Sequence, residues 1–248
     1  MKAMYVLWLR QVKRYFRSKP RIVGAMMQPL LFLLALGFGF GPIYAKAGGG
    51  NYIQFIAPGI IAMSILFTSI FSGVDIIWDR QFGFLKETLV APVSRLELML
   101  GRTLGGATVA VIQGSIVFII SLIVGFRPSS WSMLPVALLF MFLIAVAFTG
   151  LGTAIGSLME DMQGFQLIMN FLIMPIFFLS GALFPLTELP RGIFLVTRFD
   201  PLSYGVDGLR FALTGTAAFS LLYDFLVMVG VGVLFVGMGS YFFSKVQL

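Results

Sequence analysis

Six stretches of this chain contain no Asp, Glu, Lys or Arg, and each is at least 20 residues long. A helix needs about 20 mostly apolar residues to cross the hydrocarbon core of a bilayer. A helix also satisfies every backbone N–H and C=O within one spanning segment. The sequence therefore predicts an all-α membrane protein with six transmembrane helices. The six stretches are Ile22–Ala45, Ala47–Val74, Thr103–Phe126, Pro128–Met159, Met162–Thr187 and Phe225–Ser244.

Short polar or glycine-rich breaks separate several of these stretches and refine their limits. Gly48–Asn51 divides the first two, Arg127–Ser130 the third and fourth, and Glu160–Asp161 the fourth and fifth. Clusters of Gly, Pro and Ser are typical of turns. The whole chain, 1–248, is thus one transmembrane domain. Its predicted spans are 22–45, 53–78, 103–126, 131–158, 163–184 and 223–244.

Composition excludes several classes of protein. Hydrophobic residues make up 59% of the chain and charged residues 11%, whereas soluble domains carry about 25% charged residues. The chain has no Cys and no His, which excludes disulfides and argues against zinc sites and Ser-His hydrolases. No paired carboxylates lie at one depth in the spans, so a membrane enzyme is disfavoured. We expect no metal site and no cofactor on this chain.

The positive charge of the chain predicts its orientation. The net charge is +7, which in a membrane protein indicates topology rather than nucleic-acid binding. With the N-terminus in the cytoplasm, 12 of the 17 Lys and Arg residues lie on the cytoplasmic side. Cytoplasmic loops normally carry this excess. We therefore expect a multi-pass protein of the cell (plasma or inner) membrane with both termini in the cytoplasm.

Residues 1–21 predict an amphipathic helix at the membrane interface. One face carries aromatic and aliphatic side chains, and the other carries Arg10, Lys13, Arg14, Arg17 and Arg21. Basic groups on such a helix favour anionic headgroups. The helix is either a topology anchor or a lever that touches a cytoplasmic partner. The apolar face is formed by Tyr5, Trp8, Leu9, Val12, Tyr15 and Phe16.

The cytoplasmic loop 79–102 is longer than a turn between two spans requires. Phe82, Leu85 and Leu89 share one helical face, and Pro92 marks an end. Asp79 is expected to cap the start of this short helix. A helix with an exposed aromatic edge fits either docking to another protein or lying on the bilayer surface.

The loop sequence DRQFGFLKETLVAPVSR, followed by a glycine-containing span, resembles the coupling region of ABC-2 type permeases. These are the membrane subunits of daunorubicin-resistance, Nod-factor and polysaccharide exporters. The resemblance continues in order through Ser180–Pro185, Leu189-Pro190, Asp200–Tyr204 and Gly208–Arg210, and it covers essentially the whole chain.

The resemblance implies that the loop fits a cleft on a separate nucleotide-binding ATPase subunit, which binds ATP and Mg. It also implies a second permease subunit, either a homodimer partner or a close paralogue, with the transport pathway between the two chains. The surrounding membrane lipids are the remaining partners. The residues implied at the ATPase-coupling interface are Asp79, Arg80, Gln81, Phe82, Gly83, Phe84, Leu85, Lys86, Glu87 and Leu89.

Between spans five and six, the resemblance implies short re-entrant helices in the extracellular region 185–222. Three prolines divide this region into pieces too short to span. Arg198 with Asp200, and Asp207 with Arg210, are candidate ion pairs. The region is either a lid over the exit path or an interface anchor. The residues of this extracellular gate region are Ser180, Gly181, Phe184, Pro185, Pro190, Asp200, Pro201, Tyr204 and Arg210.

The sequence does not contain the phosphate-binding pattern G-x-x-x-x-G-K-[ST], so ATP hydrolysis is expected on the partner. The function implied is export of a hydrophobic or amphipathic substrate such as a drug, lipid or glycolipid, multidrug export included. A polysaccharide or lipo-oligosaccharide exporter is the alternative within the family. An ion-coupled secondary transporter is the alternative outside it, disfavoured because no midplane carboxylate is present.

Polar and small residues inside the spans suggest helix–helix contacts. Gln28, Gln113 and Asn170 are more typical of hydrogen bonds between helices than of cargo binding. Asp75 lies near the cytoplasmic end of span two, where a charge is least costly. Close helix packing is expected at the pairs Gly101/Gly105, Gly150/Gly156 and Gly230/Gly237.

Overall fold

The computed structural model of the chain describes residues 2–48, 50–84, 93–186 and 190–246. These residues form ten α-helices and one short 3-10 helix, Trp131–Met133. In chain order the α-helices are α1 (Lys2–Arg17), α2 (Lys19–Lys46), α3 (Tyr52–Phe71), α4 (Val74–Gln81), α5 (Arg95–Val124), α6 (Leu134–Leu158), α7 (Met162–Leu179), α8 (Arg191–Thr197), α9 (Pro201–Thr214) and α10 (Leu221–Ser244).

Six helical segments within the described ranges are long and apolar enough to cross a membrane, which confirms the predicted all-α, six-span architecture. The second segment combines α3 and α4. The segments are Ile22–Lys46, Tyr52–Gln81, Arg95–Val124, Trp131–Leu158, Met162–Leu179 and Leu221–Ser244.

The second span contains a break that the sequence did not predict. It runs as α3 to Phe71, turns at Ser72 and Gly73, and continues as α4. A Cβ on Gly73 would lie 2.0 Å from the carbonyl oxygen of Gly152 in α6, and one on Gly156 would lie 2.4 Å from that of Gly73. The two backbones therefore touch, and only glycine permits this approach.

Two other span limits differ from those expected. Helix α5 begins at Arg95 rather than 103, because the Ser94 side chain accepts a hydrogen bond from the Glu97 amide and caps the helix. The loop predicted as 79–102 is therefore mostly helical at both ends. Helix α7 ends at Leu179 rather than 184, and the following turn places Gly181 at φ +72°.

Helix α3 lies at the centre of the bundle. It packs against α2, α5, α6, α7 and α9, and most of its side chains are buried. Helix α10 packs along α6, where Gly150 lies against the α10 backbone at Val236. A Cβ on Gly230 or Gly237 would meet no atom within 4 Å, so within the described part of one chain this pair makes no close helix contact.

The chain alternates between two ends of the bundle. We call the end that carries α1 and α4, and the start of α5, the α1 side. The opposite end carries α8 and α9, and we call it the α9 side. These two ends contain the two groups of residues that the sequence singles out.

Candidate functional site

Asp79 joins three helices on the α1 side. Its carboxylate is buried and accepts a hydrogen bond from Arg10 of α1 at 2.6 Å and another from Arg102 of α5 at 2.5 Å. Arg102 is itself only 4% exposed, so this ion pair is almost completely shielded from solvent. A buried charge is tolerated only when it is paired, so Asp79 and Arg102 depend on each other.

A second ion pair lies one helical turn away. Arg14 of α1 pairs with Asp75, which is also buried. Arg10 and Arg14 are four residues apart on α1, and Asp75 and Asp79 are four residues apart on α4. Since residues at i and i+4 share a helix face, two antiparallel helices can match both pairs at once. Helix α1 is thus fixed to the end of the second span through two ion pairs.

Helix α1 also packs closely on α5. A Cβ on Gly101 would lie 2.8 Å from the carbonyl oxygen of Met4, and one on Gly105 would lie 2.8 Å from the Gln11 side chain. This confirms close packing at Gly101/Gly105 and identifies the partner as α1. The Trp8 indole donates to the Thr108 hydroxyl at 3.0 Å.

The faces of α1 differ from the expected ones. Leu7 and Tyr15 are buried against the bundle, and Tyr15 donates to Gln113. Burial raises the pKa of the Tyr15 phenol, which keeps it neutral. Tyr5 and Phe16 are exposed instead. Arg10 and Arg14 face acidic residues of the protein rather than headgroups, because Asp75 and Asp79 lie within reach of this helix.

Arg80 connects the second span to the fourth. Its guanidinium donates to the carbonyl oxygens of Met159 at 3.1 Å and Ser157 at 3.0 Å, at the C-terminal end of α6. Carbonyl groups at a helix C-terminus lack intrahelical donors and favour a cation. Movement of α4 would therefore pull directly on α6.

The segment that follows α4 presents two aromatic side chains. Gly83 adopts φ +76° and ends the helix, a backbone conformation that glycine adopts without strain. The Phe82 side chain is 76% exposed. The Phe84 ring lies under the Arg10 guanidinium, 3.9 Å from ring centroid to Cζ. One aromatic group is thus presented outward while its neighbour is held by α1.

The structure corrects one expectation about this loop. Asp79 does not start a helix; it lies inside α4, and its carboxylate is occupied by Arg10 and Arg102. Gln81 is exposed at the end of α4. Of the residues implied at the coupling interface, Leu85, Lys86, Glu87 and Leu89 lie outside the described residues, as does Pro92.

Sequence reasoning did not find the roles of Arg10, Arg14 and Arg102. Arg10 and Arg14 were assigned to the headgroup-facing side of the interfacial helix, and all three were counted as positive charges that set the orientation. The matching four-residue spacing of Arg10/Arg14 and Asp75/Asp79 was the available signal. It becomes informative only once α1 is known to lie beside α4.

On the α9 side, Arg210 holds the turn that follows α7. Its guanidinium donates to the carbonyl oxygen of Gly181 at 2.7 Å and lies 4.3 Å from the Phe55 ring centroid. Burial lowers the pKa of Arg210 to about 10, which leaves it charged at neutral pH. Gly59 of α3 permits this turn to pack closely, since a Cβ there would lie 2.4 Å from the carbonyl oxygen of Ala182.

The start of α9 is capped by Asp200. Its carboxylate accepts from the Leu202 amide at 2.9 Å, and Pro201 occupies the first turn, where no backbone donor is needed. Burial raises the pKa of Asp200 to about 7. Tyr204 donates to the Arg198 carbonyl oxygen at 2.8 Å, and burial is the main cause that raises its pKa to about 12.

The two ion pairs considered in this region are replaced by other interactions. Asp207 accepts from the backbone amides of Ala218 and Phe219, and Arg210 donates to Gly181. Asp200 caps α9, while the Arg198 guanidinium stacks on Phe194. Backbone groups in turns and helix ends need these partners, and the charged side chains supply them.

The remaining residues expected in the gate region flank this cluster. Ser180 is buried and its hydroxyl donates to the Phe177 carbonyl oxygen at 2.8 Å. Phe184 and Pro185 are half-buried in the turn, and Pro190 is exposed immediately before α8. Helix α9 itself is buried among α3, α6 and α10.

Six apolar spans and two ends tied by buried charges define a multi-pass helical membrane protein. A family model described as "ABC-2 type transporter" matches residues 2–214, and the chain belongs to this family. The family is a family of transporters, so the chain is a transport permease. Permeases of this family work in general with an ATP-binding cassette ATPase.

The relatives agree with this family. Nodulation protein J of Rhizobium leguminosarum bv. trifolii is 31% identical over 191 residues, which is 76% of this chain and 72% of that protein. Nodulation protein J of Rhizobium meliloti (strain 1021) is 29% identical over 197 residues, 79% and 74% of the two chains. The inner membrane transport permease YadH of Escherichia coli (strain K12) is 27% identical over 230 residues, 92% and 89%.

Proposed function

We propose that this chain is the membrane-spanning permease subunit of an ATP-binding cassette exporter. It moves a hydrophobic or amphipathic substrate outward with energy from ATP, which is bound with Mg and hydrolysed by a separate subunit. A polysaccharide or lipo-oligosaccharide substrate is the alternative cargo within the same family.

The observation that carries the proposal is the exposed aromatic segment on the α1 side. Phe82 projects from a turn whose other aromatic, Phe84, is held by Arg10. Large exposed aromatic side chains beside a fixed scaffold are typical of protein contacts. We assign this segment, with the adjoining residues through Leu89, to the contact with the ATPase.

The surrounding ion pairs would carry motion from that contact into the membrane. Asp79 ties the segment to α1 and α5, and Arg80 ties it to α6. A displacement of α4 therefore moves these helices together. This is the rigid-body class of switching, in which packed elements shift between two arrangements rather than deforming continuously.

We place the α1 side in the cytoplasm of the cell or inner membrane, with both termini there, because of the excess of Lys and Arg on that side. The α9 side is then extracellular. Helices α8 and α9 are re-entrant in this arrangement, and the turn at Ser180–Pro185 with α9 forms the outer gate. Two copies of the chain, or this chain and a close paralogue, enclose the pathway.

Replacement of Phe82 by Ala tests the proposal in vesicles that contain the permease and its ATPase. We expect ATP-dependent export to fall at least tenfold, because an aromatic side chain that becomes buried when the ATPase binds is worth roughly 2 kcal/mol or more at the interface. Phe171→Ala is the matched control: Phe171 is 84% exposed in α7, away from both ends of the bundle, and its loss should leave export unchanged.

Two results would contradict the proposal. One is a well-folded Phe82→Ala protein that still couples ATP hydrolysis to export at the normal rate. The other is substrate flux that persists without any ATPase and follows an ion gradient, which would indicate an ion-coupled secondary transporter.

A further inference from the structure

A cavity of about 280 Å³ lies on the α1 side between α1, α2, α3 and α5. Its wall is mainly apolar and includes Pro29, Met63, Phe67, Phe71 and Val109. An apolar cavity of about 150 Å³ is large enough to hold benzene and remains free of water. The cavity in this chain is nearly twice that size, so it can hold an apolar group larger than a single ring.

The cavity opens beside α2. Gly24 and Ala25 line it and are also exposed on the outer surface of the bundle. A Cβ built on Gly24 would meet no atom within 4 Å, so nothing in the described chain closes this side. This opening beside α2 offers an alkyl chain a lateral route from the bilayer.

Polar groups lie at one part of the wall. Gln11 and Gln28 each contribute an amide side chain. Pro29 has no N–H, so the carbonyl oxygen of Ala25 loses its usual helical donor and can accept a hydrogen bond. These groups both donate and accept hydrogen bonds next to an apolar space.

The negative charge of Asp75 at the cavity wall is balanced by the positive charge of Arg14. Asp75 lines the cavity and is paired with Arg14. An anionic head group would meet the Asp75 carboxylate in the wall, and a cationic one would have to displace Arg14 from its ion pair with Asp75. A neutral head group that forms hydrogen bonds meets neither penalty and finds the amides of Gln11 and Gln28.

We propose that this cavity binds the alkyl chain of a single amphiphile whose uncharged head group is held by Gln11, Gln28 and the Ala25 carbonyl oxygen. Burial of the chain supplies the affinity, and the polar groups select the head. The site lies within one chain and needs neither the ATPase nor transport, so its test is independent of the proposed function.

The test uses the full chain in phosphatidylcholine nanodiscs and a dodecyl maltoside that carries a photoreactive diazirine on its alkyl chain. Cross-linked positions are mapped by peptide mass spectrometry. We expect saturable labelling at Met63–Ser72 and Gly106–Val109, and competition by unlabelled dodecyl maltoside. Dodecyl sulfate and dodecyltrimethylammonium, which carry the same chain on charged heads, should compete at least tenfold less well.

Gly24→Leu adds a side chain at a residue that lines the cavity, and its Cβ meets no neighbouring atom within 4 Å. We expect it to reduce labelling of those segments about tenfold, because the leucine side chain occupies space that the alkyl chain needs. Gly39→Leu is the matched control, since Gly39 also faces open space on α2 but lies outside the cavity. Ala25→Leu provides a second filling variant if Gly24→Leu does not fold.

Native mass spectrometry of the protein released from the nanodiscs distinguishes a resident bilayer lipid from an amphiphile that exchanges. The nanodiscs also carry diacylglycerol, a lipid with an uncharged head: one diacylglycerol retained per wild-type chain and lost in Gly24→Leu identifies a resident bilayer lipid. Retained phosphatidylcholine, whose head carries two charges, would overturn the selection of an uncharged head. No retained lipid together with saturable probe binding identifies an exchanging amphiphile. Labelling spread over all lipid-facing helices, and unchanged in the filling variants, would overturn the proposal.

Discussion

The Asp79→Asn substitution tests the buried charge cluster on the α1 side. It leaves the Arg102 guanidinium without a counter-charge at 4% exposure. Removing one partner of a buried ion pair costs about 3–5 kcal/mol. The Arg10 side chain is 32% exposed, so its contact with Asp79 resembles a surface pair worth about 0.2–1 kcal/mol. Asp79→Asn should therefore destabilise the protein several times more than Arg10→Ala.

Thermal unfolding in detergent, followed by tryptophan fluorescence, measures this difference. Trp8 and Trp78 both lie on the α1 side and report on the affected helices. At about 2–4 °C per kcal/mol for a chain of this length, Asp79→Asn should lower the Tm by roughly 6–20 °C. Arg10→Ala should lower it by only a few degrees.

The double variant Asp79→Asn with Arg102→Met provides the decisive comparison. A buried ion pair can often be replaced by apolar or neutral groups at little cost, so the second substitution should restore most of the lost Tm. If the double variant is no more stable than Asp79→Asn alone, the penalty does not come from an unpaired Arg102 and the reasoning is refuted.

Two further predictions concern the span break and the α9 side. Gly73→Ala should lower the free energy of unfolding by about 1–3 kcal/mol, because the added Cβ would overlap the α6 backbone. Gly39→Ala is the control, since a Cβ at Gly39 meets no neighbouring atom. Equal Tm values for the two variants would contradict the packing described. The pKa of Asp200 is raised to about 7 in the folded protein, so the folded state binds a proton more tightly than the unfolded state. Ionisation of Asp200 should therefore reduce stability as the pH rises from about 4 to 7, and stability should fall no further from this cause above pH 7. Asp200→Asn keeps an oxygen that can cap the helix, so the Tm of this variant should rise relative to that of the wild type as the pH is raised from 5 to 8. A Tm difference that does not change with pH would contradict the raised pKa of Asp200.

The sequence predicted the spans well and the site only in part. The positions expected for coupling were identified through a resemblance, but the network that holds them was not. Arg10 was assigned to the headgroup-facing side of the interfacial helix and Arg102 to topology, while Asp79 was expected to cap a helix at the coupling interface. The sequence gives the sign of a charged residue and the segment in which it lies. Its partner depends on which helices lie beside each other and how each is rotated about its axis.

The sequence by itself determined that this chain is a six-span helical membrane protein. That property is local, since about 20 consecutive, mostly apolar residues are enough to predict a spanning helix. Only the tertiary structure decided that α1 pairs with the end of the second span, that this span breaks at Gly73, and that a cavity lies between four helices. These features arise where distant segments meet, and close packing rather than composition fixes which segments those are.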